Sequence, residues 1–110
     1  DKNRGIRKTI ISYNKKIENE FDYNLGFFYQ SFPKINLSGL RNTSKRVDIL
    51  NLNKYFLNKE VLDIGSNIGA ILMNTKCTFK YAVGVEYNKY LIKISNELKD
   101  YLDLKNCEFY

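Results

Sequence analysis

Gly65 and Gly69 stand four positions apart behind the run Val61-Leu62-Asp63-Ile64, with Ser66, Asn67 and Ile68 between them. A strand that ends on glycine can turn sharply into a helix, and a second glycine lets the loop backbone approach a ligand closely, because neither carries a Cβ. Asp63 sets a carboxylate just before the turn. A second acid, Glu86, closes the next apolar segment, twenty-one positions after Gly65. In an open α/β sheet an acid roughly 20 residues beyond the glycine turn accepts hydrogen bonds from ribose hydroxyls. A carboxylate suits this task because it can accept from both hydroxyls at once. Turn and distant acid together indicate an adenosine-containing ligand.

The residues between the glycines narrow the choice. A dinucleotide fingerprint aligned on Gly65 demands glycine at position 67, where backbone must meet a pyrophosphate, and this chain has Asn67. Asp63 would repel a diphosphate, whereas it could accept from an ammonium. S-adenosylmethionine meets both conditions: it has no phosphate, and it carries a ribose, an ammonium and a sulfonium. The plainer alternative is a structural strand-to-helix turn with no ligand, Asp63 then being a loop or cap acid.

These residues must be held by elements that the hydrophobic pattern locates. From Lys2 to Phe21, Ile6, Ile10, Ile17 and Phe21, with Tyr13 between, recur at helical spacing. Asn24 and Gly26 break this helix. Phe27, Phe28, Tyr29 and Phe32 read as a short extended aromatic segment stopped by Pro33, and 34–43 reads as loop. The aromatics suit a core, a docking surface or a lid over the substrate. Ser44 is the expected N-cap of a second helix through Val47, Leu50, Leu52 and Phe56, ending near Asn58. Glu60–Ile64 and Tyr81–Val85 have the nearly continuous apolar character of parallel strands, with a helix starting near Ile68 between them. Asn88 caps a helix with Leu91, Ile94, Leu98 and Leu102 on one face, and Cys107–Tyr110 opens a third strand.

This order predicts an α/β fold, the opening half of a doubly wound sheet with right-handed crossovers. A helical lead-in, 1–58, precedes the Rossmann-like part, 59–110. The strand at Glu60–Ile64 would form an open apolar edge, so self-association through that edge is expected.

A chain of 110 residues is one domain at most, and 44% hydrophobic with 27% charged residues argues against disorder. No apolar stretch is long enough to span a bilayer, so no membrane partner is expected. The start at Asp1 without an apolar leader suggests a trimmed, cytoplasmic chain. Cys77 and Cys107 lie thirty positions apart and there is no His, which points to two buried thiols and neither a metal site nor a disulfide framework. The net charge of +6 would favour an anionic partner such as RNA, but the lysines are scattered rather than gathered in a stripe.

"EVLDIGSNIGA" followed by "VGVEYN" resembles the first two motifs of the class I S-adenosylmethionine-dependent methyltransferases. The upstream "YQSF" and "SGLRNTSKRVDIL" are similar to a lead-in of some small-molecule and tRNA-directed methyltransferase-like proteins, so the resemblance runs from Tyr29 to Tyr110. It implies a Rossmann-like three-layer sandwich, present in part and preceded by N-terminal helices. It implies that Asp63, Gly65, Ser66, Asn67 and Gly69 line the methionine end of the cofactor, that Glu86 binds the ribose, and that Tyr87 lies beside the adenine, although Tyr87 could equally pack on the following helix. Gln30, Arg41, Thr43 and Arg46 are candidate contributors from the lead-in, either arginine being able to pair with the cofactor carboxylate or an anionic substrate.

In the family an acidic or amide residue after the third strand touches adenine, and residues after the fourth supply catalytic or substrate contacts. Tyr110 precedes both, so this chain is expected to hold about half of a methyltransferase domain and to be inactive alone. No catalytic residue is assigned. The methyl acceptor, whether RNA, small molecule, lipid or protein, stays open. A non-catalytic nucleotide- or cofactor-binding module and an NAD-type Rossmann protein are the alternatives.

Overall fold

The computed structural model describes residues 1–21 and 28–110, with backbone alone for 15–21. Helix α1 runs from Arg4 to Phe21. Asn24, Gly26 and Phe27 lie outside the described residues, as do the side chains of Ile17 and Phe21.

The aromatic segment enters as strand β1, Phe28–Gln30, followed by a 3₁₀ turn at Pro33–Ile35. Phe28 and Phe32 are core residues, while Tyr29 faces outward. The stretch expected to be loop contains a second strand, β2, Gly39–Arg41, paired in parallel with β1. A three-residue Gly-Leu-Arg strand has too few positions to show alternation.

Helix α2 spans Thr43–Ile49 and is capped by Asn42, whose side chain accepts from the Lys45 N–H at 3.0 Å. Asn42 thus replaces the expected Ser44; both are good caps, and the backbone bends at the earlier one. The single helix expected to reach Asn58 is divided, since Asn51 adopts left-handed φ 53° and a separate helix, α3, spans Leu52–Phe56.

The main sheet matches expectation closely. Strands β3 (Glu60–Ile64), β4 (Tyr81–Val85) and β5 (Cys107–Phe109) are parallel in the order β3-β4-β5. Leu62 pairs with Val83 and Gly84 with Phe109. Between β3 and β4 the helix α4 is short, Ala70–Met73, and starts two residues later than expected because Gly69, at φ 75°, is still in the turn. Helix α5, Lys89–Tyr101, is capped by Asn88, whose side chain accepts from Tyr90 N–H at 2.9 Å.

Strand side chains alternate between two unlike faces. On one, Ala82, Cys107 and Phe109 join a continuous core with Ile10 of α1, Leu72 and Met73 of α4, and Leu91, Ile94 and Leu98 of α5. On the other, Leu62 is 62% and Ile64 78% exposed. The described residues thus supply the sheet and one helical layer of a Rossmann-like α/β sandwich. No described helix is long and apolar enough to cross a membrane. Cys107 is buried as expected, whereas Cys77 is only partly so.

Candidate functional site

The carboxyl ends of β3 and β4 meet where the glycine loop leaves the sheet. Gly65 and Ser66 both donate their N–H to the carbonyl of Val85, at 2.8 and 2.9 Å, strapping the loop to the end of β4. Gly65 has φ 73°, Asn67 φ 54° and Gly69 φ 75°, so the loop uses the left-handed region three times in five residues. Asparagine tolerates that region better than most residues, because its short amide can satisfy the local backbone. The Asn67 Oδ1 does so here, accepting from Ile68 N–H at 2.9 Å. The Asn67 carbonyl in turn accepts from Ser95 Oγ of α5 at 3.1 Å.

Gly69 is required by space as well as by φ. A Cβ there would sit 2.7 Å from both Met73 Cε and Phe109 Cε1. Gly84, in mid-strand, makes room for the same ring: its Cβ would lie 2.6 Å from Phe109 Cδ1 and 2.9 Å from Ser66 Cβ. At Gly65, by contrast, a Cβ would meet nothing within 4 Å. Phe109 therefore acts as the floor beneath the loop, a role with no sequence signal beyond the glycine inside β4.

Glu86 organises the site. Its Oε1 accepts from Asn67 N–H at 3.0 Å and its Oε2 from Asn88 N–H at 2.8 Å, while its own N–H donates to the Tyr110 carbonyl at 2.8 Å. One residue thus links three places, its side chain joining the glycine loop to the start of α5 and its backbone reaching the end of the third strand. Each carboxylate oxygen has further acceptor capacity after one such bond. Next to it opens a cavity of about 360 Å³ lined by Ile64, Gly65, Val85, Glu86, Tyr87 and Tyr110. Tyr87 is 94% exposed, so the alternative of packing against the following helix does not occur.

Asp63 is half-buried at the end of β3. Burial pushes its carboxyl above the ordinary value of 3.8, Arg46 pulls it back down, and Glu86 adds to the rise. Ser66 Oγ is buried and has no hydrogen-bond partner among the described residues. Of the lead-in candidates, Arg46 acts on the Asp63 carboxyl through its charge, while Arg41 lies 5.8 Å over the ring of Tyr29. Thr43 is fully buried, donating Oγ1–H to the Ser31 carbonyl at 2.6 Å and its N–H to Ser31 Oγ at 3.0 Å. Gln30 is buried in β1, its Oε1 without a partner among the described residues. Among the described residues no group of His, Cys, Asp and Glu could hold a metal ion.

The chain is similar in fold to solved methyltransferases. Against the bifunctional kinase-methyltransferase WbdD it gives a TM-score of 0.63 at 19% identity, covering 84% of this chain and 22% of that one. The fold is that of Rossmann-like methyltransferases. Phosphoethanolamine N-methyltransferase 1 of Haemonchus contortus, solved with phosphoethanolamine and S-adenosylhomocysteine, matches with a TM-score of 0.51 at 25% identity, over 61% of this chain and 14% of that. The YcgJ protein of Bacillus subtilis matches with a TM-score of 0.51 at 18% identity, over 59% and 29%. The chain spans less than a third of the length of each of these structures. No protein-family model and no curated protein matches it.

Proposed function

We propose that the chain is the cofactor-binding part of an S-adenosylmethionine-dependent methyltransferase. The observation that carries this reading is Glu86, at the rim of a cavity with acceptor capacity on both oxygens after two backbone amides are satisfied. Ribose hydroxyls are the donors that such a carboxylate fits. Asp63 and the loop from Gly65 to Gly69 hold the amino-acid end, with Tyr87 free to lie on the adenine face. The fold and the methyltransferase neighbours agree with this reading.

When bound, the cofactor supplies a methyl group already activated on a sulfonium. What remains for the protein is to hold an acceptor nucleophile in line and to accept its proton. The acceptor is proposed as a small molecule or an RNA, the net charge of +6 favouring an anionic one. Leu62 and Ile64, exposed on the edge strand of an all-parallel sheet, support self-association through that edge.

Calorimetric titration with S-adenosylhomocysteine and, separately, NADH tests the reading. Binding of the homocysteine ligand in preference to NADH is expected. Preference for NADH, or binding of neither by folded chain, refutes it.

A further inference from the structure

Lysines are scattered over the whole chain, yet the excess of positive charge is not. Residues 28–59 hold six cations, Lys34, Arg41, Lys45, Arg46, Lys54 and Lys59, against one acid, Asp48, whereas residues 60–110 hold six cations against seven acids. All six cations of the first stretch are exposed. The ion pairs among the described residues, Arg7–Asp1 and Lys105–Asp103, involve none of them. Such an asymmetry between two parts of a chain points to an anionic partner on the basic part.

The same stretch also exposes apolar side chains. Thr43 and Val47, four apart, form the buried face of α2, which packs on α4. Lys45 and Ile49, also four apart, therefore lie on the outer face, where Ile49 is 69% exposed. Helix α3 packs beside α2 and is held inward by Asn53, whose Oδ1 accepts from Lys76 N–H at 2.7 Å, and by Phe56, which packs on the core. Tyr55, between them, is 64% exposed, with Lys54 Nζ 5.9 Å from its ring centre. Leu40, Leu50 and Leu57 are exposed as well. An RNA would engage the cations and Tyr55 and leave the four aliphatic side chains in water, whereas the boundary of an anionic bilayer accepts both kinds.

We propose that α2 and α3 form a face that rests on an anionic lipid surface, with Ile49, Leu50 and Tyr55 entering the headgroup boundary and Lys45 and Lys54 beside them on lipid phosphates and carboxylates. No described helix is long and apolar enough to cross a membrane, but lying on one needs only cations and apolar side chains on a common face. The proposal is independent of the cofactor reading.

The test is co-sedimentation of the chain with vesicles of phosphatidylcholine and phosphatidylserine in a three-to-one mixture, and with vesicles of phosphatidylcholine alone. Binding to the mixed vesicles and little to the neutral ones is expected. Each cation at an anionic surface contributes about fivefold, so Lys45→Gln with Lys54→Gln should weaken binding by about 25-fold. Ile49→Ser with Leu50→Ser should weaken it by about tenfold or more, while Leu62→Ser, on the exposed sheet face, should leave it unchanged. All five positions are exposed, so the folds should survive, as thermal melts would verify. Failure of the folded chain to bind the mixed vesicles, equal binding to neutral ones, or binding that withstands either double substitution would overturn the proposal. So would an oligouridylate that binds more tightly than the mixed vesicles and is indifferent to Ile49→Ser with Leu50→Ser, which would give the face to RNA.

Discussion

Replacing Glu86 should loosen the glycine loop before any ligand is considered. Its carboxylate accepts the N–H of Asn67 at 3.0 Å and of Asn88 at 2.8 Å, and each of those donors loses its partner when the acid is removed. A hydrogen bond to a charged group contributes about 1.5–3 kcal/mol when buried, and the partial exposure of Glu86 puts each bond at or below the low end. Glu86→Ala should then cost about 2–3 kcal/mol. Glu86→Gln keeps one carbonyl acceptor, turns an amide NH₂ toward the other N–H, and should cost about half as much. At about 4 °C per kcal/mol, the alanine variant should melt roughly 8–12 °C below the unaltered chain. Urea denaturation would measure both, and amide exchange should quicken at Asn67 and Asn88 in step. Variants within about 0.5 kcal/mol of the unaltered chain would refute the reasoning, since the loop would then be held by something other than this carboxylate.

Gly69→Ala should destabilise by about 2–4 kcal/mol, from left-handed strain plus overlap with Phe109 and Met73, whereas Gly65→Ala should cost only the strain, about 1–2 kcal/mol, by denaturant titration. Asp63 has a folded pKa above 3.8, so the folded chain holds more protons than the unfolded one between 3.8 and that raised value, and stability falls as pH rises through this window. Asp63→Asn should therefore stabilise the ligand-free chain at pH 7, the gain vanishing below pH 3.8 in melts across pH. Burial pushes the Cys107 thiol up to about 11, so an alkylating reagent near neutral pH should modify Cys77 and reach Cys107 only on unfolding, as peptide mass analysis would show. Leu62→Lys with Ile64→Lys should abolish any concentration-dependent association seen by light scattering.

The strands at Glu60–Ile64 and Tyr81–Val85 were legible to the residue, because each is a short apolar run bounded by polar or turn residues. The Asn88 cap was legible for a similar local reason: its side chain serves an N–H two residues away. What escaped were features that depend on distant chain. The pairing of β1 with β2 needs two three-residue segments brought together, and the break at Asn51 is a left-handed residue that nothing in its neighbours demands. In the candidate site, spacing placed Glu86 near the glycine loop, but a count of residues carries no information about backbone donors. That the same carboxylate holds Asn67 and Asn88 required coordinates. So did the different surroundings of Arg41, over the Tyr29 ring, and of Arg46, whose charge lowers the Asp63 carboxyl.

Tyr101, at the end of α5, donates its hydroxyl to the Lys2 carbonyl at 3.0 Å and lies 2.7 Å from Asn3 Oδ1, contacts that span 99 and 98 residues. In chain order α1 precedes its anchor by nearly a hundred residues. Until Tyr101 clears the ribosome, the apolar stripe around Ile6 and Ile10 has no sheet-backed surface to dock on, and closing so long a loop costs entropy before any contact repays it. Helix α1 thus finds its place only after α5 has been made, which leaves the nascent chain dependent on late closure and open to capture by chaperones in the interval.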